Sequence, residues 1–381
     1  MTRSLLNNLI TFRRKASGVR SAVLHIGTEK TGSTSLQTYL SEHRSALYER
    51  GILFPQSCGL SCHSRLVAYV KNQPDERLLR MIAVGNDSTT VARWKSRFQR
   101  RHHKEVVRFH ARCAGDSTTV YSSEHFQSLV RDTSDIKRVH RLLHNYYDKV
   151  TLVVYLKRQD RMAFSAHNTA VQSGFEKRFS FDGIGPGYYY DHLRLVSNWA
   201  SVFGSDNVRV RVCEKSRLYQ CSVVSDLLHL AGLSEQLRAL PPAPAANERL
   251  SPEALELMLK FNQIYRTHTH VGGVPLALLR QRLVNYLRSV PSDDGDGAVP
   301  ACADSLVDSS APKGPSVGAA RAFYAQFEAS NDELFDRYLR GDGFDPSFSE
   351  YPVSDSAQRP GVSEESLTSV INRVLEWSEV G

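Results

Sequence analysis

The densest chemistry in this sequence lies in Gly27-Thr28-Glu29-Lys30-Thr31-Gly32-Ser33-Thr34-Ser35. Two glycines, a lysine and three consecutive hydroxyl residues stand between an apolar run, Ser21 to Thr28, and a stretch with leucines at helical spacing, Ser33 to Glu49. A strand that ends in such a loop and continues as a helix aims backbone N–H groups at one point, and the positive end of the helix dipole faces the same way. The expectation is an anion site. A nucleoside triphosphate loop, G-x-x-x-x-G-K-[ST], would put its lysine after the second glycine and a hydroxyl on Mg²⁺. Here Lys30 precedes Gly32 by two positions, and the dinucleotide pattern G-x-G-x-x-G is absent. No apolar strand ends in an aspartate suited to hold a metal. The group held here therefore needs less charge neutralisation than a γ-phosphate.

The elements that must position this loop are legible as alternating runs. Strands are predicted at Ser21–Thr28, Ser117–Ser123, Lys149–Leu156 and Asn207–Cys213, with helices at Ser33–Glu49, Ile136–Tyr147, Asp160–Ser173, Tyr188–Phe203 and Leu218–Leu230. Gly174 is placed to end one of them. This alternation predicts an α/β fold of the P-loop-NTPase-like, three-layer kind, with a central mainly parallel sheet and added C-terminal helices. Residues 1–20 read as an N-terminal arm, 21–352 as one domain with a flexible insertion at 291–317, and 353–381 as a tail with a short helix. Further helices are expected at Pro252–Tyr265 and Ala319–Leu339.

With those elements in view, the loop "HIGTEKTGSTSLQ" resembles the phosphosulfate-binding loop of sulfotransferases that use 3′-phosphoadenosine 5′-phosphosulfate (PAPS). "VVYLKRQDRMAFSAHNTAVQSG" resembles the same family's 3′-phosphate segment, and "YYYDHLRLVSNWASVFGSDNVRVRVCEKSRL" and "FYAQFEASNDELFDRYL" resemble its bacterial branch. The resemblance implies that Lys30 bridges the leaving phosphate and the sulfuryl group. It implies that Thr31, Gly32, Ser33, Thr34 and Ser35 hold the 5′-phosphosulfate. The family's arginine stands eight residues before its serine; counting back from Ser165 gives Lys157, with Arg158 next to it, and lysine lacks the bidentate fork of arginine. Either cation is a candidate for the 3′-phosphate. The general base is sought among Glu124, His63 and His125, in that order; a first-turn carboxylate serving the helix dipole is the competing role for Glu124. The donor would be spent to adenosine 3′,5′-bisphosphate, no metal is required, and the acceptor would be a carbohydrate, a glycolipid or a small hydroxyl compound.

Composition is compatible with this. The chain of 381 residues has a net charge of +8 and 14 histidines, which suits an anionic ligand. Its six scattered cysteines have no disulfide-framework spacing, so a reducing, cytoplasmic setting is expected. Cys58, Cys62 and His63, with His110 and Cys113 later, are too loosely spaced to predict zinc, and buried or loop cysteines are expected instead. No run is long and apolar enough to span a membrane. Residues 1–15 place Leu5, Leu9 and Phe12 before Arg13, Arg14 and Lys15, so peripheral membrane contact is an alternative to packing on the domain. Two rival functions stay open. One is a P-loop kinase or other phosphotransferase, which would need Mg²⁺. The other is a non-catalytic binder of nucleic acid or anionic glycan, supported by "RFQRRHHKEVVRFH", although nucleic acid is not the expected partner because no aromatics are interleaved for base stacking.

Overall fold

The computed structural model describes residues 18–234, 240–241, 250–289, 315–352 and 363–377. The N-terminal arm up to residue 17, residues 290–314 of the insertion region and residues 353–362 and 378–381 of the tail lie outside the described residues. Numbering the strands, and the helices of eight or more residues, the chain begins β1 (Arg20–His25), α1 (Ser33–Glu42), β2 (Ile52–Leu53), α2 (Ser88–Arg112) and β3 (Ser117–Ser122). It continues α3 (Thr133–His144), β4 (Lys149–Leu156), α4 (Gln159–Gln172), α5 (His192–Phe203), β5 (Val208–Val212) and α6 (Val223–Leu230). After these come α7 (Pro252–Tyr265), α8 (Leu276–Ser289), α9 (Val317–Ala325), α10 (Glu328–Tyr338) and α11 (Glu364–Trp377).

The chain divides into two compact units. The first comprises Met1–Lys157, Pro186–Ala245 and Glu328–Phe344; the second comprises Arg158–Gly185, Ala246–Phe327 and Asp345–Gly381.

In the first unit five strands form one parallel sheet in the order β2-β3-β1-β4-β5. Apolar side chains alternate across its central strands. Val23, Val120, Val153 and Tyr155 face α1 and α6 in one cluster with Leu36, Leu40 and Leu227. On the other face α3 lies against β4, and α5 lies against β5 and α3. The sheet is thus α/β with helices on both faces, as the alternation predicts. From β1 the chain builds β2 and β3 on one side and then crosses to β4 and β5 on the other. Ligands of open parallel sheets bind beyond the carboxyl ends of strands where the order reverses in this way, here at the ends of β1, β3 and β4.

The short edge strand β2 escapes the sequence reading because two residues carry no periodicity. The predicted helix Ser33–Glu49 breaks at His43, whose Nδ1 bonds the Tyr39 carbonyl at 2.9 Å. Residues 218–222 form tight turns with Gln220 and Cys221 at positive φ, so α6 starts later than expected. The stretch predicted as one helix at 319–339 is two, α9 and α10.

Among the described residues of the second unit, the regular elements are helices and one hairpin, His270–Val271 against Val274–Pro275, whose two-residue turn is Gly272-Gly273 at φ 56° and 79°. Val171 of α4, Met258 and Phe261 of α7, Leu279 and Leu283 of α8 and Val374 of α11 share its core. Helix α8 had no counterpart in the sequence reading.

Candidate functional site

The loop after β1 is pinned to β4. The Gly27 carbonyl accepts from Tyr155 N–H and the Thr28 N–H donates to Tyr155 O, both at 2.8 Å. Gly27 sits at φ 105°, and a Cβ there would lie 3.1 Å from Glu124 Cα, so the glycine lets the ends of β1 and β3 come together. Lys30 itself is left-handed, φ 68°, and Gly32 caps α1 at φ 84°. The first α-helical bond runs from Leu36 N–H to Gly32 O at 3.2 Å. The amides of Ser33, Thr34 and Ser35 therefore have no intrahelical acceptor and point out of the helix start. Thr31 Oγ1 donates to Thr28 O at 2.6 Å and braces the turn from inside.

Lys157, at the end of β4, donates from Nζ to the Lys30 carbonyl. Its own carbonyl accepts from His192 Nε2 at 2.8 Å. This ties the basic residue after β4 to the loop after β1, two segments 127 positions apart.

The acid–base candidates sit at the end of β3. Glu124 is largely buried; its Oε2 accepts from Gln37 Nε2 at 2.7 Å and from the Cys62 thiol at 3.7 Å. Burial raises its pKa, but a backbone N–H, the Gln37 amide and the nearby His125 and His25 outweigh that, so the carboxyl lies below its ordinary value. Glu124 is the N-cap residue of the short helix His125–Leu129, where it makes no side-chain capping bond. The Cys62 thiol, pushed up to about 11 first by burial and then by Glu124, is protonated and serves as a donor.

His125 lies with Nδ1 4.0 Å from Glu29 Oε1. Glu29 is held by a ring of hydrogen bonds: its N–H donates to Gln127 Oε1 at 3.0 Å, Gln127 Nε2 donates to Tyr189 O at 2.8 Å, and the Tyr189 hydroxyl donates to Glu29 Oε2 at 2.8 Å. The sequence reading missed Glu29, Gln37, Gln127 and Tyr189. Only the run Tyr188-Tyr189-Tyr190 after a glycine turn offered a signal.

His63 is placed differently from the other candidates. It is fully buried, its ring stacks on Phe54 with centroids 4.3 Å apart, and Nδ1 accepts the Ser122 N–H at 3.2 Å. Burial and the neighbouring Arg44 and His102 hold its pKa well below the usual value. It supports the end of β3 and faces no open space in which to meet an acceptor.

Arg158 and Ser165 belong to the second unit. All five guanidinium N–H donors of Arg158 are taken: Nε and Nη2 by the Asp160 carboxylate at 2.7 and 2.9 Å, Nη1 by the carbonyls of Asp345 and Ser347, and Nη2 also by Glu350. Its Cζ lies 3.8 Å over the Phe348 ring, and Tyr351 donates to Asp160 at 2.8 Å. Arg158 is thus an internal cation of a closed network and does not fit the 3′-phosphate role. Ser165 is buried on α4.

Cys58, Cys62, His63, His110 and Cys113 do not gather. Cys58 packs on His102, with Sγ 3.6 Å from Nδ1, and His110 Nδ1 bonds Ser117 Oγ at 2.6 Å. Among the described residues a different trio, Cys62, Glu124 and His125, brings one potential ligand atom each to within 4.8 Å of the others. As it stands, the thiol–carboxylate hydrogen bond accounts for two of the three.

No family model matches the chain. An uncharacterized protein of Archaeoglobus fulgidus is 25% identical over 220 residues, 58% of this chain and 53% of that protein, so the match spans about half the length of the relative. A sulfotransferase from Alicyclobacillus acidocaldarius aligns in structure with a TM-score of 0.37 and 18% identity, over 59% of this chain and 85% of that one. The sulfotransferase domain of the Synechococcus PCC 7002 olefin synthase aligns with a TM-score of 0.29 and 12% identity, over 73% and 97%. Scores this low carry no functional argument; the fold assignment rests on the parallel sheet itself. Among the described residues no helix is long and apolar enough to cross a membrane.

Proposed function

We propose that the chain is a sulfotransferase that moves a sulfuryl group from PAPS to a hydroxyl or amine acceptor, of carbohydrate, glycolipid or small-molecule type, by in-line displacement. One observation carries the reading. Lys30 precedes Gly32 in a strand–loop–helix turn, and its carbonyl is bonded to Lys157, so the two cations expected near the donor are mechanically linked. The amides of Ser33, Thr34 and Ser35, helped by the hydroxyls of Thr34 and Ser35, suit the phosphosulfate oxygens. The Lys30 ammonium neutralises charge on the leaving phosphate. Lys157 is the cation of its segment that belongs to the loop's unit, and it takes the 3′-phosphate role that Arg158 does not fit.

For the base we assign His125, with Glu29 as its orienting partner. Glu124 has its oxygen committed to Gln37 and Cys62 and is held ionised, which makes it a weak proton acceptor. His63 is buried with Nδ1 already bonded. Imidazole is the side chain best suited to proton transfer near neutral pH. Glu124 then fixes the charge beside His125 and acts through position.

Two measurements test the function. Adenosine 3′,5′-bisphosphate should raise the melting temperature by binding the native state, by an amount that grows with its concentration. No shift at millimolar ligand overturns the donor assignment. His125→Gln should lower turnover by about 10²–10⁴-fold while leaving the bisphosphate-induced melting shift unchanged; wild-type turnover in that variant removes His125 as the base.

A further inference from the structure

Helix α2 carries a surface that the loop chemistry leaves unused. Arg93, Arg97, Arg100, Lys104 and Arg108 recur at spacings of four, three, four and four residues, which puts them on one line, and Arg101 flanks it. All six are exposed. From Ser88 to Lys104 the helix has no acidic residue, and among the described residues none of the six is in an ion pair. The opposite face of the helix cannot exchange with this one, because Phe98, His102, Val106 and Phe109 are buried and His102 bonds Tyr121 at 3.1 Å and Ser57 at 3.0 Å. The stripe is therefore fixed outward over about 22 Å.

We propose that this stripe is a docking strip for a single chain of an acidic polysaccharide. Like charges at i,i+3 and i,i+4 oppose the helix that carries them, and bound anionic groups relieve that opposition. Guanidinium groups in a row engage carboxylate or sulfate bidentately. The stripe also borders a hollow of about 420 Å³ between Arg93, Ser96, Arg97 and Arg100, and a cleft of about 510 Å³ where Arg101, Lys104 and Arg108 meet Arg44, Tyr48 and Glu49. In that cleft the Tyr48 ring offers a sugar ring an apolar face beside the cations that take its acidic groups. The helix exposes no large aromatic side chain, with Trp94 half-buried beside Phe98, so the stripe itself carries no row of rings to stack on successive bases. Loop residues take no part in this surface, and the proposal stands apart from the sulfotransferase reading.

The test uses the full chain and fluorescently labelled chondroitin sulfate oligosaccharides in an anisotropy titration, with neutral dextran, duplex DNA and oligo-dT as competitors. Binding should weaken steeply between about 50 and 200 mM salt, as expected of counterion release. The quadruple variant Arg97→Gln/Arg100→Gln/Lys104→Gln/Arg108→Gln should lose affinity at least about tenfold and show a shallower salt slope. Glutamine is a good helix former, so circular dichroism should show intact helicity in that variant, and its bisphosphate-induced melting shift should equal that of the wild type. Failure of the wild type to bind the glycan, equal affinity in the helical variant, or tighter binding of either DNA overturns the proposal. None of these outcomes bears on the bisphosphate result.

Discussion

The loop Gly27–Ser35 and the network around Arg158 both concentrate charge, and they differ in what they leave unsatisfied. In the loop, a helix start turns amides outward and the Lys30 carbonyl accepts from Lys157 Nζ. Around Arg158, every guanidinium donor has an acceptor, the aromatic face of Phe348 covers the carbon, and Arg158 and Asp160 are buried. Lys157 and Arg158 are consecutive residues, yet one bonds the loop after β1 and the other closes a structural knot. Adjacent cations of the same sign are thus not interchangeable candidates for a ligand. The number of donors already spent decides between them.

Substitutions should pull the two regions apart. The largest expected effect is on the open side: Lys30→Ala should lower sulfuryl transfer by about 10³-fold, comparable to removing a principal transition-state charge contact, with the fold intact by circular dichroism. Full activity in that variant would remove the assigned mechanism. On the closed side, Asp160→Ala should destabilise the protein by about 3–5 kcal/mol in urea titrations, because it strands a buried guanidinium. A loss below about 1 kcal/mol would mean that the Arg158 network is not structural.

Acid should reach the two units at different pH. In the first unit burial lowers His25, His110 and His192 each to about 4, from 6.5. The unfolded chain binds protons at these sites below about pH 6.5 while the folded chain does not, so stability falls as pH drops from about 6.5 to about 4. Among the described residues of the second unit only His167 is shifted in this sense. Amide hydrogen exchange should show protection lost in β1, β3 and β4 before α7 and α8 across that window; simultaneous loss would sink the distinction. The smallest effect concerns Asp345, held at about 2, down from 3.8, by the Ser347 amide and hydroxyl and by Arg161. Its folded pKa is depressed, so its contribution is complete above about pH 4 and is lost as pH falls toward 2. Asp345→Asn should narrow the wild-type loss of melting temperature over that range by no more than a few degrees, as befits a solvent-screened group.

Much of the frame of this protein is written in local pattern. Four of the five sheet strands stand out as apolar runs, and β4 falls on its predicted residues because Val150 to Leu156 is almost continuously apolar. The loop's chemistry is legible for the same reason, since its glycines, lysine and hydroxyls are contiguous. Local pattern is silent about partners far along the chain. Nothing near Arg158 announces that Asp345, Ser347 and Glu350, almost two hundred residues later, will take its donors. Nothing near His63 announces that Phe54 and Ser122 will enclose it. The ring formed by Glu29, Gln127 and Tyr189 is likewise a product of the sheet order, which brings the ends of β1 and β3 together. A two-residue strand such as β2 has too few positions to show any period.

The left-handed backbone of Lys30 has a consequence for anyone who would make this protein more robust. A non-glycine residue in that conformation costs about 1 kcal/mol relative to glycine. Lys30→Gly would therefore relax the turn while deleting the ammonium, and a selection scored on melting temperature alone would favour the change. The lysine proposed to act on the leaving phosphate stands where the fold would be more comfortable without it, so durability and the proposed turnover are opposed at a single residue.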